Sequence, residues 1–432
     1  MSLLKDSLII SLSRVLISGL MFLGDAVLSR YLGVTSKGEY FYIYNFIFML
    51  SIILTGGLEY GNLFYSRKGR LSQLLFNTLV YFAGVSILLI LILPSVIDII
   101  SEFPVKTRVI KVFTVMGTVL ELVFLVSLNF LIAKGDILPY VSVRILRRLS
   151  FVILIFTAWI SYQSSALSVS FICYFASLCG SLLMLYHFLR SDFTMKLKFR
   201  KDVFIQTITY GLKTHIGTIS ERLHARACIF MLGALASTSH IGLYSVAVGI
   251  SETLLYFSNA ASLAIFSRVR NEPDEQARDA KTVLRHVIPI AVGLSILFFF
   301  SGPLLITLFF GSAFAESFNA LKYILPGITV YAIYPVISAY FINIGKSFVT
   351  SACSIIGLSC NVGLNAYFIP QYGLEGAAIS SSISFTVTAI MSLLLFLRQS
   401  RSTVVSTLFL NAADIGKIKN YVVQMGNSVH YR

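Results

Sequence analysis

Charged residues are scarce in this 432-residue chain, at 12%, about half the share of an ordinary soluble domain. That shortage excludes a water-soluble multidomain enzyme, which needs a polar surface. Cysteine is scarce too. The five present, Cys173, Cys179, Cys228, Cys353 and Cys360, are odd in number and form no CxxC spacing, which excludes a disulfide framework and a cysteine zinc site; they read as small buried apolar residues. The six histidines are dispersed, with no HExxH, so no metal or other cofactor is expected. Walker, GxGxxG and GxSxG signatures are absent, which removes ATP hydrolysis and the common hydrolase chemistries from this chain. What remains is apolar: 56% hydrophobic residues, including 35 Phe and 22 Tyr, with a mean hydropathy of +0.83. Only a bilayer accommodates so much apolar surface. The chain reads as a polytopic, all-α membrane protein.

Apolar runs of about 20 residues place twelve spans. Six lie in the first half, at Leu8–Tyr31, Tyr40–Phe64, Leu74–Leu93, Val112–Ala133, Leu138–Tyr162 and Leu167–Leu189. Six follow in the second, at Phe204–Leu235, Ile241–Phe266, Val283–Phe310, Leu321–Ile344, Phe348–Phe368 and Gly376–Leu397. The expected organisation is an N-terminal six-helix half (1–195), a C-terminal six-helix half (196–400) and a polar cytoplasmic tail (401–432) carrying Arg401, Lys417 and Lys419. No connection is long enough to fold as a domain of its own, so function must live among the helices, around a central cavity. The first span runs to Tyr31 without a small-residue cleavage site and reads as a retained helix.

The net charge of +15 would suggest nucleic acid in a soluble protein. Here it has a topological reading. With both termini in the cytoplasm, the inner segments hold 24 of the 34 Lys and Arg against nine acids, including Arg67, Lys68, Arg70, Lys196, Lys198, Arg200, Lys201 and the stretch from Arg268 to Arg285. The outer loops and the spans are each balanced. Excess basic charge on the cytoplasmic side is what membrane insertion selects, and a nucleic-acid role loses its main support.

A weak internal repeat joins the two halves. "YLGVTSKGEYFYIYNF" follows the first span and "ALASTSHIGLYSVAVGI" the seventh, placing Gly38 and Tyr40 204 positions before Gly242 and Tyr244. Even span numbers per half imply parallel halves related by an axis along the membrane normal. Each Gly is expected to permit a tight turn at the outer surface and each Tyr to sit in the headgroup layer.

The run from Arg30 to Phe46, the run from Ile241 to Leu254 and "PQYGLEGAAISSSIS" from Pro370 to Ser384 resemble the corresponding segments of Wzx-type O-antigen flippases. Those proteins belong to the multidrug/oligosaccharidyl-lipid/polysaccharide exporter superfamily. The resemblance implies movement of an undecaprenyl-diphosphate-linked oligosaccharide, such as an O-antigen or capsular repeat unit, from the cytoplasmic to the periplasmic face of the bacterial inner membrane by alternating access. It also implies a glycan polymerase and a chain-length regulator as partners. No catalytic constellation is carried over.

Arg, Lys or Asp at the centre of a span costs roughly 2.5–3.5 kcal/mol on insertion scales, so each needs a partner, a wet cavity or a route to the interface. In the seventh span His215, Arg222 and Arg226 fall within about 40° of one another at 100° per residue, forming a polar stripe expected to face the interior, while Lys213 points away. Arg14 and Asp25 share a face of the first span. Arg30 is close enough to its end to snorkel. Arg144, Arg147 and Arg148 share a face of the fifth. Glu121 and Glu252 lie at depth, with Glu59 nearer the inner end. The candidate substrate-binding residues are therefore Arg14, Arg144, Arg148, His215, Arg222 and Arg226, because guanidinium forks match phosphate oxygens. Asp25, Glu121 and Glu252 either accept a coupling proton or sodium ion or neutralise those arginines. Aromatic residues read mainly as packing and lipid-facing surface, with Trp159 an interfacial anchor. Pro289, Gly293, Pro326 and Pro335 are candidate bends.

Two competitors make different demands. An ion-coupled multidrug or small-solute antiporter of the same superfamily predicts a cavity richer in carboxylates than in guanidinium groups. A membrane enzyme of glycan assembly predicts a sizeable extramembrane loop with clustered acids or histidines, and the loops here are too short.

Overall fold

The computed structural model describes residues 2–66, 71–100, 103–161, 166–190, 199–267 and 273–409. Arg67, Lys68, Arg70, Lys196, Lys198, Arg268, Arg270, Lys417 and Lys419 lie outside the described residues, as does the side chain of Lys213. The described residues are almost entirely helical and contain no strand. A lipid-embedded chain must satisfy its backbone hydrogen bonds within each segment, and helices do so.

The first half comprises α1 (Ser2–Leu54), α2 (Leu58–Ser66), α3 (Leu71–Ile99), α4 (Arg108–Lys134), α5 (Ile137–Ser161) and α6 (Ala166–Leu189). The second comprises α7 (Lys201–Leu235), α8 (Thr238–Ser251), α9 (Thr253–Ser267), α10 (Pro273–Leu305), α11 (Ser317–Tyr331), α12 (Tyr334–Asn343) and α13 (Ser347–Gln399), followed by the short α14 (Val404–Leu408). At about 1.5 Å per residue, the 53 residues of α1 and of α13 are far longer than a bilayer is thick. Each is two limbs joined at a glycine: Gly33 (φ 69°, ψ 178°) in α1 and Gly373 (φ 52°, ψ −119°) in α13. Both positions need conformations that a Cβ disfavours. The pair α8 and α9 bends by 41° at Glu252. The expected spans fall on helical runs, some of them broken, with Tyr162 outside the described residues; among the described residues seven helices are long and apolar enough to cross a membrane, or eight if α8 and α9 form one span.

Outward faces are apolar and bare. Leu88, Ile90, Leu91 and Ile92 of α3 and Ile296, Leu297, Phe300 and Leu304 of α10 are exposed, as a lipid-facing surface requires. Trp159 is partly exposed beside Phe156. Cys179 is exposed as well, so the expectation that every cysteine is buried fails there; in hydrocarbon a thiol side chain has no reason to hide.

The repeat has a different role from the one expected. Gly38 and Gly242 make no turn; both lie inside helices, α1 and α8, because the chain bends earlier, at Gly33. A Cβ on Gly38 would stand 1.8 Å from the carbonyl oxygen of Thr238, and one on Gly242 would stand 2.0 Å from that of Val34. Val34 and Thr238 are themselves 204 positions apart, so the contact is reciprocal in the manner of a two-fold axis. Tyr40 and Tyr244 do not reach the headgroup layer. Each is at most 5% exposed, Tyr40 against Phe171 and Tyr244 hydrogen-bonded to Ser381 Oγ at 2.8 Å.

A second glycine contact closes the halves at the other end. Gly56 and Gly57, both with positive φ, break the chain between α1 and α2, and a Cβ on Gly57 would meet the Gly211 backbone of α7 at 2.4 Å. Gly61 lies equally close to Thr207. The helix ends on either side of the molecule's centre are thus in backbone contact, and space is left between them.

Candidate functional site

That space is a cavity of about 420 Å³ between the two halves, within the range of small-molecule sites. The first half contributes Asp25, Tyr44, Asn45, Arg147 and Arg148, and the second contributes Glu221, Arg222, Arg226, Glu252, Tyr256 and Asn259, among others. Two of the kinked or broken regions serve it. The bend at Gly33 turns both limbs of α1 toward the lumen, and the break at Glu252 brings the end of α8 and the start of α9 together on its wall.

Four arginines line the cavity, and they fall into two groups. Arg147 is completely engaged: it forks onto Glu121 (Nη1–Oε1 3.1 Å, Nη2–Oε2 2.6 Å), Tyr174 donates to the same carboxylate at 2.9 Å, and its guanidinium lies 4.4 Å from the Phe124 ring centre. Arg226 is forked onto Glu252 at 2.7 and 3.2 Å. Arg148 and Arg222, by contrast, make no ion pair or hydrogen bond with any described residue, and both face the lumen. Two guanidinium groups without an ion-pair partner, against the single unpaired carboxylate of Glu221, give the lumen a net positive potential. They can receive a phosphate-bearing ligand bidentately.

The other candidates lie elsewhere. His215 is buried two helical turns from Arg222, with Nε2 3.2 Å from the Ile53 carbonyl and Nδ1 3.7 Å from Glu59 Oε1. It therefore belongs to the Gly57–Gly211 contact, beside the Tyr60–Thr218 hydrogen bond of 2.9 Å, and the helical stripe does not bring it into the cavity. Arg14 donates to the Asn259 carbonyl at 3.4 Å, and Arg144 donates to the Tyr140 hydroxyl at 3.1 Å. Neither lines the cavity, although Asn259 does, so Arg14 flanks its rim. Arg30 is tied to the carbonyls of Phe309 and Leu308 at 2.9 and 2.6 Å. These are unsatisfied acceptors at a helix end, and they give Arg30 a structural partner that snorkelling would not need.

Of the three deep carboxylates, each has a basic partner: Glu121 with Arg147, Glu252 with Arg226, and Asp25 with Lys37. Lys37 was legible only as an outer-loop charge, because the sequence suggests a turn where α1 in fact continues. Its side chain is 0% exposed, whereas that of Asp25 is 29% exposed toward the lumen. The asymmetry gives a prediction. Asp25→Asn strands a buried ammonium and should cost roughly 3 kcal/mol, since removing one partner of a buried pair leaves an uncompensated charge. Lys37→Met leaves a carboxylate that cavity water can solvate and should cost about 1 kcal/mol or less. Unfolding of both purified variants in detergent would expose equal losses, which would contradict this ordering.

Among the described residues no group of three metal-ligating side chains occurs. The cavity offers charge, hydroxyls and aromatic rings, which suit holding and releasing a polar ligand.

Comparison with known proteins adds the following. Residues 3–269 match the family described as polysaccharide biosynthesis protein. The probable low-salt glycan biosynthesis flippase Agl15 of Haloferax volcanii is 22% identical over 190 residues, 42% of this chain and 40% of that protein. The chain thus spans less than half the length of this curated relative. Among solved structures, the lipid II flippase MurJ in an inward closed conformation superposes with a TM-score of 0.76 at 15% identity, covering 92% of this chain and 90% of that one. An inward-facing multidrug resistance MATE transporter of the MOP superfamily superposes at 0.69 and 17% identity, covering 90% and 98%. At these identities the likeness is one of fold.

Proposed function

This chain belongs to the polysaccharide biosynthesis protein family, and from that premise we propose that it is a flippase for a lipid-linked glycan, with no covalent chemistry of its own. The observation that carries the reading is the pair Arg148 and Arg222, one from each half, facing a common cavity without counter-ions. Such a pair suits a diphosphate, and the substrate class we infer is an undecaprenyl-diphosphate-linked oligosaccharide, as an O-antigen or capsular repeat unit would be. Both termini lie in the cytoplasm in this reading, in the bacterial inner membrane, and the Gly38–Gly242 contact then closes the periplasmic end. The two halves, 1–195 and 196–400, rock about the cavity, opening the glycine contacts alternately. A glycan polymerase and a chain-length regulator would receive the product, and the tail at 401–432 stays in the cytoplasm.

An organic-cation antiporter fits less well. Cations need free carboxylates, and of the three carboxylates lining the cavity Asp25 and Glu252 are ion-paired, which leaves Glu221 alone against the two unpaired guanidinium groups of Arg148 and Arg222. For the same reason we read Asp25, Glu121 and Glu252 as counter-charges to Lys37, Arg147 and Arg226.

The test is transport of a polyprenyl-diphosphate-linked oligosaccharide in proteoliposomes. Charge-assisted hydrogen bonds contribute about 1.5–3 kcal/mol, so Arg148→Ala and Arg222→Ala should each weaken uptake by roughly ten- to a hundredfold, with Arg14→Ala and Arg144→Ala changing it much less. Wild-type uptake that is indifferent to both cavity substitutions would refute the diphosphate reading.

A further inference from the structure

One row of side chains in the cavity remains without a task. Tyr40, Tyr44 and Phe48 stand at i, i+4 and i+8 on the second limb of α1, and all three line the lumen. Their rings are parallel: Tyr40 and Tyr44 are 6.2 Å apart at an interplanar angle of 5°, and Tyr44 and Phe48 are 6.3 Å apart at 7°. Four-residue spacing on a helix puts side chains on one face about 6 Å apart along the axis. The row is braced from behind, where Phe171 packs 4.8 Å from Tyr40 and Tyr174 meets Tyr44 edge-on at 5.6 Å and 90°. Tyr174 is itself held by the Glu121 carboxylate. Tyr44 and Phe48 are only half-buried, and both line the lumen.

An aromatic row that served only packing would be closed over by another element. This one is rigid, oriented and open to the same space as Arg148 and Arg222. Aromatic faces carry negative quadrupole potential and attract partially positive C–H groups. Sugar rings present such C–H faces while their hydroxyls seek polar groups, and Asn259 and Tyr256 line the same lumen. An organic cation would also be drawn to aromatic faces, but the cavity is lined by four arginines against three carboxylates, of which Asp25 and Glu252 are ion-paired and only Glu221 is not.

Resting on the flippase reading, we propose that Tyr44 and Phe48, backed by the buried Tyr40, form a saccharide-stacking track that recognises the sugar rings of the substrate, while Arg148 and Arg222 take its diphosphate. The track confers preference for glycan-bearing over bare polyprenyl diphosphate. Because its rungs repeat at one helical turn, a glycan can shift by a rung without losing its contacts as the halves rock.

The experiment measures binding of two probes to the purified full-length protein in nanodiscs: a polyprenyl diphosphate carrying a disaccharide and the same lipid without sugar. Aromatic contacts of this kind contribute about 0.5–1.5 kcal/mol, so the disaccharide lipid should bind roughly three- to tenfold more tightly to the wild-type protein. Tyr44→Leu and Phe48→Leu keep apolar volume but lose the ring; each should bring that ratio close to one while leaving affinity for the sugar-free lipid unchanged. Tyr44→Phe should preserve the ratio. A wild-type ratio of one, or a ratio that survives both leucine variants, overturns the track while leaving the diphosphate reading standing. Failure of the wild-type protein to bind either lipid overturns both.

Discussion

Gly38→Val is expected to stop transport, with uptake falling by more than tenfold while the protein still inserts and folds. A Cβ at this position would sit 1.8 Å from the Thr238 carbonyl oxygen and 2.8 Å from its carbon. Those are backbone atoms of a helix and cannot swing aside as a flexible side chain can, so α1 and α8 must separate. Overpacking of this kind typically costs about 1–3 kcal/mol. In a soluble core that cost would appear as lost stability. In the proposed transport cycle the contact joins two halves that separate in another conformation, so the cost falls on the closed one. A shift of roughly 1.4 kcal/mol changes a conformational ratio tenfold, enough to hold this end open. Gly242→Val should act alike, since its Cβ would stand 2.0 Å from the Val34 carbonyl. Spin labels on α1 and α8 flanking the contact should report a longer distance in both variants. Unchanged distances with full transport would show that the glycines do not form the closure.

Glu121→Gln should unfold far more easily than the wild-type protein, by roughly 3–5 kcal/mol, the usual cost of breaking a buried ion pair by removing one partner. The side chains of Arg147 and Glu121 are 7% and 2% exposed, and the guanidinium has no other carboxylate beside it among the described residues. The neutral amide also disturbs Tyr174, which donates to the same carboxylate at 2.9 Å. Replacing both partners by apolar residues of similar size, as in Glu121→Leu with Arg147→Met, should recover much of the loss, because a well-packed apolar pair avoids the desolvation that the ions incur. Thermal unfolding in detergent distinguishes this structural role from an ion-coupling role. A Glu121→Gln protein as stable as wild type, but no longer responsive to a proton or sodium gradient, would make Glu121 a coupling group.

The pairing pattern bears on what the cavity selects. Arg147 and Arg226 spend their charge on protein carboxylates, and Arg148 and Arg222 do not. Periodicity alone cannot separate such neighbours. Arg147 and Arg148 differ by 100° on one helix, and whether that rotation meets Glu121 or open space depends on where α4 packs.

Hydropathy determined that this is a helical membrane protein, because the cost of placing polar groups in hydrocarbon acts on each stretch of chain separately. The stripe on α7 likewise announced Arg222 and Arg226 as inward-facing, since two arginines toward lipid would be too costly. The partners were not legible. Lys37 looked like a loop charge, Gly38 and Gly242 looked like turns, Tyr40 looked like a headgroup residue, and Tyr44 and Phe48 looked like ordinary packing. Each of these roles arises from contacts between residues far apart in sequence or across a bend, and one-dimensional patterns carry no information about which helix faces meet. Tertiary packing decided which charges were neutralised, which glycines touched and which rings were left open to the lumen.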